Sequence, residues 1–171
     1  NNEFTNDDGF TTIAVSDSTI DATALATTID SYDVINAGAT TNMTLASGAT
    51  VNVDAGEITH MLADETAGRL TITDQKITVT NAISVDNANL LDATTTGVVT
   101  ASITTTETVD ELQTLTGTGN AYTIVIRAGD ATNSTAAEFN AINNKTTVAV
   151  DMGNVTALTA SSLSDLGTLA T

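Results

Sequence analysis

The chain has 171 residues, of which 41% are hydrophobic and only 3% aromatic, so it can bury one continuous core built from aliphatic side chains and threonine methyl groups. With 21 Asp and Glu against 4 Lys and Arg, the formal net charge is −17, which repels phosphate backbones and anionic membrane surfaces, so we expect no nucleic-acid partner and no membrane insertion. The absence of cysteine excludes disulfides and thiolate metal sites, and no segment approaches the roughly 20 apolar residues that membrane insertion requires.

Six short alternating runs predict β-strands along the chain. In order they are TIAV (12–15), NMTL (42–45), RLTI (69–72), GVVTA (97–101), TIVI (123–126) and TVAV (147–150). Alternation of apolar and polar residues is typical of a strand that is buried on one face. The interval between successive runs varies, but its mean from Ile13 to Val148 is about 27 residues, which indicates an internal repeat.

A short apolar pair at helical spacing follows each run and predicts a short helix. The pairs are Leu25 and Ile29, Ile58 and Leu62, Leu90 and Leu91 (a less regular match), Val109 and Leu112, Phe139 and Ile142, and Leu163 and Leu166. Helices of about two to three turns are marginal in isolation, so we expect packing against the rest of the fold to hold them.

Residues that cap helices stand before these pairs. The spacing of a capping box occurs at Asp54 with Glu57, Thr108 with Glu111, and Thr135 with Glu138. Asp21 and Thr159 are the predicted N-caps of the first and last helices.

A strand, a loop and a short helix repeated in line predict an α/β repeat fold, a right-handed β/α solenoid of about six coils. Its parallel strands would stack as one sheet, with the helices on the other side. We expect an N-terminal leader over residues 1–8 and a single domain over 9–171. The predicted coils are 9–40, 41–68, 69–96, 97–120, 121–146 and 147–171. Leucine-rich repeats have a similar size, but their Leu/Asn signature is missing here.

Threonine-rich alternating runs also build all-β sandwiches, which is the alternative fold. The capped helical pairs favour the solenoid. Some segments fit departures from a regular strand–loop–helix coil. The segments 31–41 and 46–53 predict an inserted turn or an extra short strand, and LTITDQKITVT (70–80) also fits a small hairpin.

Calcium is the metal ion that the loop composition favours. The segments TNDDG (5–9), SDSTID (16–21) and AGDATNS (128–134) offer hard oxygen ligands from Asp7, Asp8, Asp17, Asp21 and Asp130. The competing interpretation is that Asp and Asn occupy turns and helix caps for local hydrogen bonding. No EF-hand loop and no glycine-rich nonapeptide is present, so diffuse screening by cations is the stronger expectation.

His60 is the only histidine, and we expect it to be a surface or helix-packing residue. A zinc site or a Ser–His–Asp triad would have to use it, and the sequence has neither a second histidine nor a GxSxG turn. Paired carboxylates for glycoside hydrolysis stay open, since the chain has 21 acidic residues, but such enzymes usually line their clefts with aromatic rings that stack sugars, and this chain has few. We therefore expect no enzyme activity.

Two segments resemble a known kind of repeat. NANLLDATTTGVVTA (87–101), with LTGT at 115–118, and VTALTASSLSDLGTL (155–169) resemble the Thr/Ala-rich tandem repeats of very large surface or adhesin-like proteins. Marine cyanobacteria and magnetotactic and other aquatic bacteria have such proteins. The resemblance covers roughly residues 70–171 and carries over no catalytic residue. It implies an extracellular, structural or adhesive role and assembly in long arrays.

These features predict an extracellular structural module of a large cell-surface, S-layer-like or filament-forming protein, with calcium-assisted assembly as an added hypothesis. The expected partners are neighbouring repeats or identical copies end to end, because a solenoid leaves an open sheet edge at each end. The alternative is an adhesin module that recognises a glycan or a protein. That role predicts exposed clusters of polar and aromatic residues.

Overall fold

The structure is a computed structural model that describes residues 11–35, 41–130 and 132–170. The chain divides into two compact units: unit 1 comprises Asn1–Thr80 and Thr94–Gly97, and unit 2 comprises Asn81–Ala93 and Val98–Thr171. Short helices and parallel strands in two sheets make this an α/β protein, so the alternative of an all-β sandwich is wrong. The predicted leader lies outside the described residues, and a single domain over 9–171 stays a prediction.

Unit 1 alternates pairs of short strands with helices. Its elements are β1 (Thr12–Val15), β2 (Thr19–Asp21), α1 (Ala22–Ile35), β3 (Asn42–Leu45), β4 (Thr50–Val53), α2 (Ile58–Thr66), β5 (Leu70–Thr71) and β6 (Lys76–Val79). Strands β1, β3 and β5 pair in parallel in that order, and β2, β4 and β6 do the same in the other sheet. The expectation of one stacked sheet is therefore wrong.

Apolar side chains stack in register along these strands. Met43 in β3 lies opposite Ile13 and pairs with Leu70 on its other side, and both Met43 and Leu70 are buried. Val51 in β4 likewise lies between Ile20 and Ile77. Because alternate residues point to one face of a strand, each parallel pairing extends a continuous apolar row into the core.

Unit 2 carries most of the helices. Its elements are α3 (Val85–Thr94), β7 (Val99–Ser102), α4 (Val109–Gln113), β8 (Ala121–Thr123), a 3₁₀ turn (Ala128–Asp130), α5 (Ala136–Asn143) and α6 (Leu163–Leu169). Strands β7 and β8 pair in parallel, and single bridges join Ile83 to Ile103 and Val125 to Asp151. Helices α4, α5 and α6 pack each against the next.

Several predicted elements are confirmed. TIAV and NMTL form β1 and β3, and the extra short strand predicted within 46–53 is β4. Both threonine capping boxes are present: Thr108 Oγ1 accepts from the N–H of Glu111, whose carboxylate accepts from Thr108 N–H, and Thr135 and Glu138 do the same. Asp21 caps α1, since its Oδ1 accepts from Ala24 N–H at 3.0 Å.

Two predicted caps are wrong. Helix α2 begins after Glu57, which makes no side-chain cap bond, because the Asp54 carboxylate accepts instead from Gly56 N–H and the Thr80 hydroxyl. Helix α6 is capped by Ser162, whose hydroxyl accepts from Asp165 N–H, and not by Thr159.

Two strand predictions also change. The hairpin over 70–80 is wrong, because β5 pairs with β3 while β6 pairs with β4 in the other sheet. TVAV (147–150) forms no strand, and the chain touches the preceding coil through the bridge at Asp151. Of the segment 31–41, residues 31–35 belong to α1 and residues 36–40 lie outside the described residues.

Among the described residues, no helix is long and apolar enough to cross a membrane.

Candidate functional site

The aspartates predicted as calcium ligands lie in separate settings. Asp7 and Asp8 lie outside the described residues. Asp17 and Asp21, both exposed, line a groove of about 420 Å³ beside β1 and β2 in unit 1, where Asp21 also caps α1. Asp130 belongs to unit 2. The structure thus brings two of the predicted ligands to one groove.

Asp130 is bound by an arginine. Arg127 Nε donates to Asp130 Oδ2 at 2.8 Å, and Val109 N–H donates to the same oxygen at 3.0 Å. The hydrogen bond from Arg127, with a smaller contribution from Val109, holds the pKa of the Asp130 carboxyl below its ordinary value. Arg127 also donates to the carbonyl of Thr106. This carboxylate therefore ties the 3₁₀ turn to the start of α4.

No group of three or more His, Cys, Asp or Glu within residues 11–35, 41–130 and 132–170 is placed to hold a metal ion. Calcium binding stays a prediction. His60 lies on the exposed side of α2 with its Nδ1 3.8 Å from the Glu57 carboxylate, which confirms the prediction of a surface histidine.

A polar cluster in unit 2 joins successive segments of the chain, and we call Asn89, Asp92, Thr116 and Asn120 the Asp92 cluster. Asp92 accepts from Asn120 Nδ2 at 2.7 Å and from the Thr116 hydroxyl at 2.9 Å. Asn120 is buried, and its Oδ1 accepts from Val99 N–H at 2.9 Å. Asn89 Oδ1 accepts from Thr116 N–H at 2.8 Å. The cluster satisfies backbone groups that the short strands leave unpaired.

Unit 1 contains a comparable arrangement at Asp74 and Gln75. The Asp74 carboxylate accepts from the Ser47 hydroxyl and from Gly48 N–H, and these two bonds, in that order, hold its pKa below the ordinary value. Gln75 is buried and its Nε2 donates to the carbonyls of Leu45 and Ala46. Both side chains bind the turn that connects β3 to β4.

Sequence reasoning missed these polar residues because it assigned Asp and Asn to local turns. Their bonds instead span about one repeat: 26 residues from Asp74 to Gly48 and 28 from Asp92 to Asn120. The sequence does contain a pattern that could have identified them: polar residues recur about one repeat apart. Rules for local turns consider only neighbouring residues and do not detect this recurrence.

One buried charge belongs to unit 1. Asp64 in α2 is 1% exposed, and its carboxylate pairs with the guanidinium of Arg69. The backbone N–H of Arg69 also donates to the carbonyl of Asp64. The pair closes the turn from α2 to β5. Its position inside the unit gives it a structural role.

The described residues of each unit include an open surface. The groove of unit 1 that contains Asp17 is lined by apolar residues that include Val15, Leu25 and Met43, and we call it the first-coil groove. In unit 2, Leu163, Leu166 and Leu169 form one side of α6, which we call the α6 face. Beside it lies a groove of about 610 Å³ whose lining includes Phe139, Val148, Val150, Met152 and Leu169.

Comparison with known proteins gives no match: no protein-family model, no curated protein and no solved structure is significantly similar to this chain.

Proposed function

We propose that this chain is a structural repeat module in which strand–loop–helix coils stack as a right-handed β/α solenoid. The observation that supports it is the recurrence of hydrogen bonds across about one repeat. In unit 1, Thr80 binds Asp54 across 26 residues and Asn42 binds the carbonyl of Gly68 across 26. In unit 2, Asn154 binds the carbonyl of Ile126 across 28.

A structural role accounts for how the chain uses its polar side chains. Gln75, Asn120 and Asp92 bind backbone or side-chain groups of neighbouring segments, and Asp64 pairs with Arg69. Such bonds fix one segment on the next, because a buried donor or acceptor without a partner destabilises the fold. The absence of enzyme activity stays a prediction.

We assign the module to a large extracellular protein of the cell surface, S-layer-like or filament-forming. The net charge of −17 and the resemblance of residues 70–171 to surface-protein repeats support this assignment. The adhesin alternative needs exposed aromatic residues near polar ones. Tyr122 and Phe139 are the aromatic residues whose side chains the structure describes, and both are buried, so no observation favours it.

Immunogold labelling of intact source cells tests the assignment. Antibodies raised against the purified chain should label the cell exterior as a continuous layer or as filaments, and mild protease treatment of intact cells should remove the label. A cytosolic marker protein is the control for lysis. Label confined to the cytoplasm would contradict the extracellular assignment, and sparse label on intact cells with no layer or filament would contradict the structural one.

A further inference from the structure

Three helices of unit 2 repeat at a constant interval. The N-caps of α4, α5 and α6 are Thr108, Thr135 and Ser162, each 27 residues after the one before. The first, fourth and seventh positions after these caps are apolar in every case. They are Val109, Leu112 and Leu115; Ala136, Phe139 and Ile142; and Leu163, Leu166 and Leu169.

Burial of this apolar stripe ends abruptly at α6. The six stripe residues that begin at Val109 and at Ala136 are at most 4% exposed, whereas Leu163 is 87% and Leu166 is 39% exposed. The side chains are of the same kind, so the difference lies in what covers them. Helix α6 has the same apolar stripe as the two buried helices, but no layer among the described residues covers this stripe.

Each earlier helix of unit 2 is bound to the segment that follows it in the chain, and α4 and α5 each pack against the next helix. The first N–H of α3, at Val85, donates to Glu107 in the next coil, and that of α4, at Val109, donates to Asp130. The first N–H of α5, at Ala136, donates to Ser161 just before α6. The start of each of these helices thus takes a hydrogen-bond acceptor from the coil after it, and within the described residues no coil follows α6.

The strand side of the same coil is also incomplete. The segment 147–151 forms no strand. It contacts the preceding coil through the bridge from Asp151 to Val125, just after β8, and through the hydrogen bond from Thr147 N–H to the Asn120 carbonyl, and Val148 and Ala149 are exposed. The groove between this segment and α6 opens onto the buried ring of Phe139. A further strand and helix would fill this groove and cover the α6 face, as the coils of unit 2 do for one another.

Such a strand and helix lie at the other open surface of this chain. In unit 1, β1 and β2 each pair with one neighbour, so within the described residues one edge of each remains unpaired. The first-coil groove adds apolar surface at Val15 and Leu25 beside these edges. Parallel pairing with register set by apolar stacking is the way in which β1 meets β3.

We propose that the α6 face binds the first coil, β1, β2 and α1, of a second copy of this chain, head to tail. This inference rests on the proposed stacking of coils and names its partner. Such an interface joins two different surfaces, so a dimer keeps one unoccupied copy of each surface, to which further copies of the chain can add. The net charge of −17 opposes it at low ionic strength, and about 1 M NaCl, which shortens the Debye length to about 3 Å, should permit it.

Sedimentation velocity over a concentration series at about 1 M NaCl is the first test. The mean particle mass of the wild-type protein should rise by about twofold or more as its concentration increases, because head-to-tail association is not limited to a dimer. The double variant Leu163→Asp/Leu166→Asp should remain monomeric. Because Leu163 is almost fully exposed, this variant should keep the wild-type circular-dichroism spectrum. The matched control is Leu90→Asp, which changes an exposed leucine of α3 and should associate like the wild type.

A mixing experiment tests the head-to-tail geometry. The variant Ala14→Asp, on the exposed side of β1, should also be monomeric. An equimolar mixture of Ala14→Asp with the Leu163→Asp/Leu166→Asp variant should form dimers and nothing larger, because each protein retains one working surface. Association of the double variant alone would overturn the proposal. A wild type that stays monomeric would overturn it too and assign the α6 face to a different occupant, while immunogold labelling still decides the proposed function independently.

Discussion

Asp64 and Arg69 form an ion pair inside unit 1, and Asp64 stands at a helix position where α3 and α5 carry apolar residues. Asp64 is the seventh residue after the Glu57 cap. Leu91 takes this place in α3 after Ser84, whose hydroxyl accepts from Asn87 N–H, and Ile142 takes it in α5 after Thr135. A buried carboxylate is costly without its partner, whereas a buried pair contributes little beyond an apolar replacement. Removing one partner should therefore destabilise the unit strongly, whereas replacing both with apolar residues should change its stability little.

The variant Arg69→Met should lose about 3–5 kcal/mol in the free energy of unfolding, because it leaves the carboxylate of Asp64 buried without its cation. Urea denaturation followed by circular dichroism measures the change. The double variant Asp64→Leu/Arg69→Met is the matched control and should regain most of the loss. Equal losses in the single and double variants would show that the charge of Asp64 is not what the arginine compensates.

Asp130 should make stability depend on pH in the acid range. Its pKa lies below the ordinary value, chiefly because of the hydrogen bond from Arg127, so the unfolded chain takes up its proton at a higher pH than the folded one. The stabilisation is complete above about pH 4 and is lost as the pH falls through the lowered pKa.

The variant Asp130→Asn should therefore be less stable than the wild type at pH 7, and the difference should shrink as the pH falls below about 4. Chemical denaturation at a series of pH values measures this. Arg127→Gln removes the main cause of the shift and should flatten the profile in the same way. A constant difference across the whole series would contradict this account of Asp130.

At the scale of the helices, the two capping boxes should carry measurable stability. Thr135→Ala removes the acceptor for Glu138 N–H at the start of α5 and should cost about 1 kcal/mol. Glu57→Ala is the control, because Glu57 occupies the N-cap of α2 without a side-chain cap bond. Thermal unfolding should separate the two variants. If both variants lost the same stability, the side-chain hydrogen bond of the capping box would not be what stabilises α5.

The starts of α4 and α5 were predictable from the sequence because all the residues of a capping box lie within four consecutive positions. The short strands were harder. Each of the first two coils carries two strands, β1 with β2 and β3 with β4, in different sheets, and the sequence predicted one sheet. Runs of three or four residues separated by one turn do not reveal which sheet each strand joins, since that depends on pairing about one repeat away.

The last coil shows the same limit for burial. Leu163 and Leu166 have the spacing of a core pair, and the sequence predicted them together with Phe139 and Ile142. Periodicity identifies an apolar face, but burial also needs a neighbour to cover it. Helix α5, which carries the buried Phe139, packs against α6, whereas the described residues offer no further helix beyond α6 to cover Leu163. The sequence could therefore predict that Leu163 and Leu166 lie on one apolar side of a helix, but not that this side is exposed.

For the whole molecule, charge is the dominant sequence feature. A net charge of −17 on 171 residues destabilises the compact state through self-repulsion, which added ions screen. Screening depends on ionic strength alone, whereas an ordered calcium site depends on the identity of the ion. The two effects are separable because NaCl, MgCl₂ and CaCl₂ can be compared at one ionic strength.

We expect the melting temperature to rise with ionic strength by nearly the same amount in all three salts, because Asp130 is bound by Arg127 and Asp21 caps a helix. Differential scanning calorimetry, with a chelator added to the NaCl sample, measures the three curves. A further rise in CaCl₂ alone would contradict pure screening and would point to an ordered calcium site. Asp17→Asn and Asp21→Asn would then show whether the first-coil groove holds the ion, since loss of the calcium-specific rise in either variant would place it there.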